Sequence, residues 1–471
     1  MCHTLAGGWR CSMNRPKDYL EEIKSEHGTT LGELLVLAPQ NDPFNTGSDT
    51  QVRQAEWFAD LWQRFGFGSG VHLRRVHYRL ISQAAPPAMH NGKPYENTEL
   101  CWGYISQAAK YARYLNLVSA DAFDDRRNPD PMVFVSEREW WPEPEANIES
   151  YWWNSLPAIS AHSLEVSLSA PGVTISGYDY ESADQPYHLS VWIEKTTMND
   201  VLQPVCRSLG ADLVTSAGFQ SITSVISLLQ RIERRGKPAR IFYISDFDPA
   251  GDSMPVAVAR QVEFWRREYA TGADVKLTPI ALTKEQVLAY RLPRTPIKET
   301  DKRRGGFEDR HGAGAVELDA LEALYPGVLA DLVRETLEPY RDRRYGAMLN
   351  RAESEALDLA EQKWHDLIAE EERQLATIQQ QAEEIAASYT EQLTRLSQAL
   401  EQDMAPLSEE LEALRQAIQD KAERFDPDLP SRPEPHTSIN GAESEWLFDA
   451  ERDYLDQLAC YKVHQDREAI Q

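Results

Sequence analysis

Cysteine is scarce and scattered: five residues in 471, Cys2, Cys11, Cys101, Cys206 and Cys460, with no Cys-x-x-Cys pair. An odd, dispersed set offers neither a disulfide framework nor a zinc-ligand spacing, so reduced intracellular thiols are expected. No apolar run approaches the ~18 residues that a membrane-spanning helix needs, and the start has no signal-like apolar core. These absences predict a cytoplasmic chain that neither enters a membrane nor is secreted. A Gly-x-x-x-x-Gly-Lys phosphate loop is also missing, which excludes a Walker-type ATPase site from the expectations. Positive charge is in deficit, with 49 Lys and Arg against 75 Asp and Glu and a net charge of −26. Taken whole, that balance repels nucleic acid. It is uneven, however: residues 341–471 carry −16 and residues 1–340 only −10, and basic clusters persist at Arg74-Arg75, 231–240 and 302–304. A polyanion responds to local potential, so a basic face on an acidic chain stays open.

The length, with 42% hydrophobic and 26% charged residues, suits a folded chain of two or three domains. Residues 1–49 read as an N-terminal extension with one short apolar run at 31–38. Residues 50–146 carry three helical patterns. The first has Val52, Ala55, Trp57, Phe58, Leu61 and Trp62 at helical spacing and stops at Gly66-Phe67-Gly68. The second, 73–82, carries Arg74, Arg75, His77 and Tyr78; the third, 98–115, carries Lys110 and Arg113. Three short helices ending in a basic one suggest a helix-turn-helix or winged-helix module whose last helix enters the major groove. Arg74, Arg75, Lys110 and Arg113 are then the expected DNA contacts. A small helical bundle with solvated charges is the plain alternative.

Residues 147–187 read as a β-rich connection. From 188 a regular alternation begins: strands at 188–193, 211–215, 239–245 and 274–281, separated by helices at 199–209, 221–234 and 252–269. Four strands joined by helical crossovers predict an α/β fold with a parallel sheet flanked by helices. The first strand ends in Glu194 and the third in Asp246-Phe247-Asp248, so acids gather at the carboxyl edge where such sheets bind ligands. Alternation puts Asp246 and Asp248 on one side of an extended backbone. Two carboxylates about 4 Å apart repel by roughly 4 kcal/mol at an effective dielectric of 20, so the pair calls for a cation or a proton. Mg2+ is the natural candidate, with Mn2+ as a substitute. Asp252 is expected to cap the helix that follows.

A Glu closing the first strand, followed some fifty residues later by Asp-x-Asp-x-x-Gly, resembles the Toprim domain of topoisomerases, primases and certain nucleases. The strings Ile193-Glu194-Lys195, Thr215-Ser216-Ala217-Gly218 and Asp246-Phe247-Asp248-Pro249-Ala250-Gly251 most resemble the branch containing type IIB topoisomerase A subunits and the meiotic double-strand-break transesterases. That branch also has an upstream winged helix with an Arg-x-x-x-Tyr spacing, which Arg74 and Tyr78 match. The resemblance spans about residues 73–283. It implies that Asp246 and Asp248 hold Mg2+, that Glu194 shares the ion or serves as general acid or base, and that Tyr78 attacks a DNA phosphate. Gly218 would let the second strand-to-helix turn approach the substrate edge. The family's tyrosine follows another aromatic, whereas His77 precedes Tyr78; His77 is expected to be a surface residue, with assistance in proton transfer as the alternative. In the blunter form, water replaces Tyr78 and the enzyme is a nuclease. The competing reading is a non-catalytic DNA-binding scaffold.

Residues 188–340 comprise this domain and a C-terminal extension, in which Lys302 to Arg304 suit either phosphate contact or a solvated loop. Glu317 and Asp319 are read as ordinary helix-start acids, with an extension of the acidic cluster as the alternative. Residues 341–425 shift to Glu, Gln, Ala and Leu, with Leu357, Ala360, Trp364 and Leu367 opening an apolar stripe at steps of three and four. A coiled coil or helical hairpin is expected, with a kink or reversal at Pro406. This region would support a homodimer or recruit a protein partner. Residues 426–471 read as a linker and terminal helix.

Overall fold

The computed structural model describes residues 15–124, 130–135, 142–149, 155–157, 164–216, 221–389, 397–436 and 446–466. They fall into two compact units, one formed by Met1–Ser136, Gln185–Arg341 and Thr437–Gln471, the other by Glu137–Asp184 and Asp342–His436. The fold is mixed α/β, with fourteen α-helices among the described residues and one five-stranded, mostly parallel sheet. No helix of the described residues is long and apolar enough to cross a membrane.

The first unit opens with α1 (Pro16–His27), α2 (Asp49–Arg64), α3 (Leu73–Ile81) and α4 (Glu99–Tyr114). Ser48 and Gln51 form a reciprocal capping box that starts α2, and Thr98 accepts from the Cys101 N–H to start α4. The apolar faces of α2 to α4 meet in one core built on Phe58, Leu61, Val76, Leu80, Ile105 and Ala108. The strands β1 (Glu145–Ile148) and β2 (Val173–Ser176) belong to the second unit.

The sheet of the first unit follows: β3 (His188–Ile193), α5 (Asn199–Leu209), β4 (Asp212–Thr215), α6 (Ile222–Arg235), β5 (Ala239–Ile244), α7 (Pro249–Tyr269) and β6 (Val275–Ala281). Beyond it come α8 (Lys284–Ala289), α9 (Arg304–His311), α10 (Leu318–Leu324) and α11 (Val328–Leu337). The long α12 (Tyr345–Tyr389) and α13 (Ser397–Ala422) lie in the second unit, and β7 (Phe448–Asp449) with α14 (Tyr454–Asp466) return to the first. Strand order is β4-β3-β5-β6-β7, parallel except for the β6–β7 edge. The alternation of β3 and β5 sorts the core: Trp192, Ile241 and Tyr243 pack on α6 and α7, while Val191, Ile193, Phe242 and Ile244 pack on α5 and α11. Every residue of β3, β4 and β5 is buried, as strands covered on both faces must be. Because β3 leads outward to β4 and the chain then crosses to β5, the β3/β5 boundary is the switch point of the sheet.

In the second unit, β1 and β2 pair antiparallel, and Trp364 Nε1 donates to Pro171 O at 2.8 Å to seat α12 against this hairpin. The helices α12 and α13 run antiparallel, since Trp364 meets Phe425 while Tyr389 meets Asp403. The predicted helical hairpin therefore forms, but Pro406 lies inside α13 and does not mark the reversal. An interior proline gives up one backbone hydrogen bond, yet α13 continues through Pro406 to Ala422.

Candidate acid edge and basic cleft

Register brings the three predicted acids to the switch point. Ile193 pairs with Ile244, so the residues that follow, Glu194 and Ser245-Asp246, leave the sheet side by side. The Asp246 N–H donates to Glu194 Oε1 at 2.9 Å. Asp246 Oδ1 accepts from the Leu318 N–H at 2.7 Å, and Phe247 forms a two-way backbone bridge with Val316. Asp248 Oδ1 accepts from Ala250 N–H at 2.9 Å and Gly251 N–H at 2.6 Å, so Asp248, not Asp252, is the cap and α7 begins at Pro249. Extended backbone at Asp248 leaves its carboxylate facing the first helical N–H groups, a geometry that Asp252, already inside the helix, lacks.

Gly251 has a steric reason to be glycine. A Cβ there would lie 2.0 Å from Asp246 O, so only a hydrogen lets the first turn of α7 rest on the turn that carries the acid.

Electrostatics mark the edge as short of positive charge. Burial, reinforced by Asp246 and Asp248 and opposed by the Asp246 N–H, pushes Glu194 up to about 7. Burial also raises Asp246, against the pull of the Leu318 N–H and of Lys195. Lys195 was not singled out from the sequence, yet its ammonium lies 2.9 Å from Asp246 Oδ2, 2.7 Å from Asp319 Oδ2 and 3.2 Å from Glu317 Oε2. Glu317 and Asp319 do start α10, as expected, and in addition they join the acid edge through this lysine.

Asp246 and Asp248 line a recess of about 50 Å³, together with Asp252, Thr283, Phe307 and His464; Glu194 is not among its lining residues. Asp252 pairs with the Arg310 guanidinium, and burial lowers His464 below the ordinary imidazole range. The participation of His464 has no signal in the sequence, because α14 stands outside the strand-helix alternation and reaches the edge only through the tertiary fold. Arg303 and Arg304 are engaged by Asp301 and Glu308. Gly218 lies outside the described residues.

The donor set suits a hard divalent ion: it offers oxygen only, and among the described residues no hydrogen bond engages Glu194 Oε2 or Asp248 Oδ2. Among the same residues, no group of three or more His, Cys, Asp or Glu side chains is gathered as a finished metal shell. Mg2+ does not require one, since it is held by one or two carboxylates and keeps its waters.

Tyr78 lies elsewhere. It is 61% exposed and lines a cleft of about 890 Å³ with Arg74, Arg75, Arg113, Trp102 and, from the start of α6, Ser221 and Thr223. Arg113 stacks on Phe123 with 4.9 Å to the ring centroid. This recess and the acid recess share no lining residue. Lys110 is not among the residues lining the cleft: its ammonium donates to Gln40 O at 2.8 Å, and burial, with Arg113 nearby, lowers it to about 8. His77 is buried, contrary to the surface placement expected, and its ring nitrogens face Tyr95 OH at 2.7 Å and Asn97 Oδ1 at 3.2 Å. It shares the inward side of α3 with Val76 and Leu80, which the short helix must bury to hold α4.

No protein-family model matches the chain, and neither does any curated protein.

Proposed function

We propose that this chain is a Mg2+-dependent enzyme that cuts or transfers DNA phosphodiesters, with a Toprim-type sheet, a winged-helix-like module ahead of it, and a likeness to type IIB topoisomerase A subunits. The observation that carries the reading is the β3/β5 register, which sets Glu194 beside Asp246 at the switch point with Asp248 at the start of α7. When bound there, Mg2+ or Mn2+ would stabilise charge on the attacked phosphate and on the leaving oxygen. Asp246 and Asp248 would hold the ion. Glu194 would share it or exchange a proton, a task suited to a carboxyl that keeps its proton to about pH 7.

The basic, aromatic cleft supports DNA binding. Arg74 and Arg75 are exposed beside Tyr78, and phosphate contact needs only such local charge. The separate recesses of Tyr78 and the acids favour hydrolysis by water within one chain. Transfer through Tyr78, with a covalent 5′ linkage, calls for a second copy, and the hairpin of α12 and α13 is a candidate surface for a homodimer or a protein partner. A cytoplasmic setting goes with this reading.

Supercoiled plasmid incubated with the full chain and Mg2+ or Mn2+, then run with and without protease treatment, tests it. Nicking or linearisation that Asp246→Asn abolishes supports a metal-dependent nuclease or transesterase. Protease-dependent mobility that Tyr78→Phe removes assigns the attack to Tyr78; cleavage surviving Tyr78→Phe assigns it to water. Binding with no cleavage by the wild type leaves the non-catalytic scaffold.

A further inference from the structure

We propose that Lys195 is a tethered counter-cation of the acid edge, a positioning residue that occupies Asp246 Oδ2 and thereby sets how strongly the site takes a divalent ion. The inference rests on the reading of this edge as a metal site. Both carboxylate oxygens of Asp246 are engaged, Oδ1 by the Leu318 N–H at 2.7 Å and Oδ2 by the Lys195 ammonium at 2.9 Å. An incoming divalent ion therefore meets the ammonium as a direct competitor for Asp246 Oδ2.

Displacement does not strand the lysine. Its ammonium also holds Asp319 at 2.7 Å and Glu317 at 3.2 Å, so yielding Asp246 costs one of three ion pairs. Lys195 comes directly after Glu194 at the end of β3, and its partners come from the turn after β5 and from the start of α10. One side chain therefore links three segments that converge on the same edge. A purely structural staple would have the same contacts, but its removal would loosen the fold without tightening ion binding.

The two roles separate in a metal titration. Mn2+ binding to the full chain is followed by the electron paramagnetic resonance of free Mn2+ at pH 8, for wild type, Lys195→Met, Lys195→Gln, Lys195→Arg and Asp246→Asn. A charge-assisted hydrogen bond is the competitor being removed, so Lys195→Met should bind Mn2+ on the order of tenfold more tightly, while Lys195→Arg stays near wild type. Lys195→Gln provides the same neutral test if the methionine variant fails to fold. Unchanged or weaker Mn2+ binding in the neutral variants, with binding still lost in Asp246→Asn, overturns the role of Lys195 and leaves the metal site standing. Mn2+ binding that is absent or independent of Asp246 in every variant overturns both.

Discussion

Replacing Glu194 with glutamine tests the electrostatics of the acid edge without any assay of activity. Burial and the neighbouring charges of Asp246 and Asp248 raise the Glu194 carboxyl from 4.5 to about 7 in the fold. A carboxyl raised in this way keeps its proton longer in the folded chain than in the unfolded one. The stability linked to it is complete below about pH 4.5 and is lost as pH rises through about 7. The full difference corresponds to on the order of 3 kcal/mol, an upper bound for a side chain that is not wholly buried. Glutamine has no proton to lose, and its carbonyl can still accept from the Asp246 N–H that now reaches Glu194 Oε1 at 2.9 Å. Urea unfolding in EDTA, at intervals from pH 5 to pH 8.5, should show Glu194→Gln gaining on wild type as pH rises and levelling above pH 7. A stability difference that is flat with pH, or that shrinks as pH rises, refutes the reasoning, because it would mean that the carboxylate is not held at a cost.

Gly251→Ala puts a methyl group where Asp246 O stands 2.0 Å away, so the turn must move; a loss of about 1–3 kcal/mol is expected in urea melts, with Mn2+ binding weakened as well. Arg74→Ala with Arg75→Ala should weaken binding of a fluorescent duplex and lower the slope of log affinity against log salt by about 1–2, measured by anisotropy. Lys110→Ala is the matched control: its ammonium is spent on Gln40 O, so the salt slope should stay at the wild-type value. Arg260→Met removes the partner of buried Asp42 and Glu263, and should destabilise the first unit by about 3–5 kcal/mol in the same melts.

The sheet was legible because its signals are local and repeated. The strand at 188–193 and the helix at 199–209 coincide with β3 and α5, and the remaining boundaries of that alternation move by a few residues. The placement of Glu194 and Asp246 followed from strand ends alone, since parallel strands of matched register bring such ends together. The division of labour among the acids was not legible. Whether Asp248 or Asp252 caps α7 depends on where the backbone turns from extended to helical, and Pro249 suits a first helical position as well as it suits a loop. Lys195, Arg310 and His464 were hidden for a different reason. Arg310 and His464 meet the acids from segments distant in sequence, and Lys195, although next to Glu194, finds Asp246, Glu317 and Asp319 only through the tertiary fold. Lys110 shows a different limit: its place on α4 was legible, but basic character does not reveal that its ammonium donates to Gln40 O.

The acid edge also depends on the two ends of the described chain, through α7. Arg260, in the body of that helix, is fully buried; it pairs with Asp42 at 3.2 Å and Glu263 at 2.9 Å and donates to the Tyr454 hydroxyl. Phe44 stacks beneath the guanidinium with 4.1 Å to its ring centroid, and Tyr461 OH donates to Glu263 at 3.2 Å. A buried charge is costly unless it is fully partnered, so this network fixes the N-terminal segment and α14 against one helix and penalises any slippage. The same α7 carries Asp248 at its start, and the same α14 carries His464 into the acid recess. Moving α14 by even a part of a turn would break the Tyr454 and Tyr461 contacts and withdraw His464 together. The terminal helix is thus a wall of the site, coupled to its acids through the buried arginine, and truncation before Tyr454 should cost stability and Mn2+ binding together.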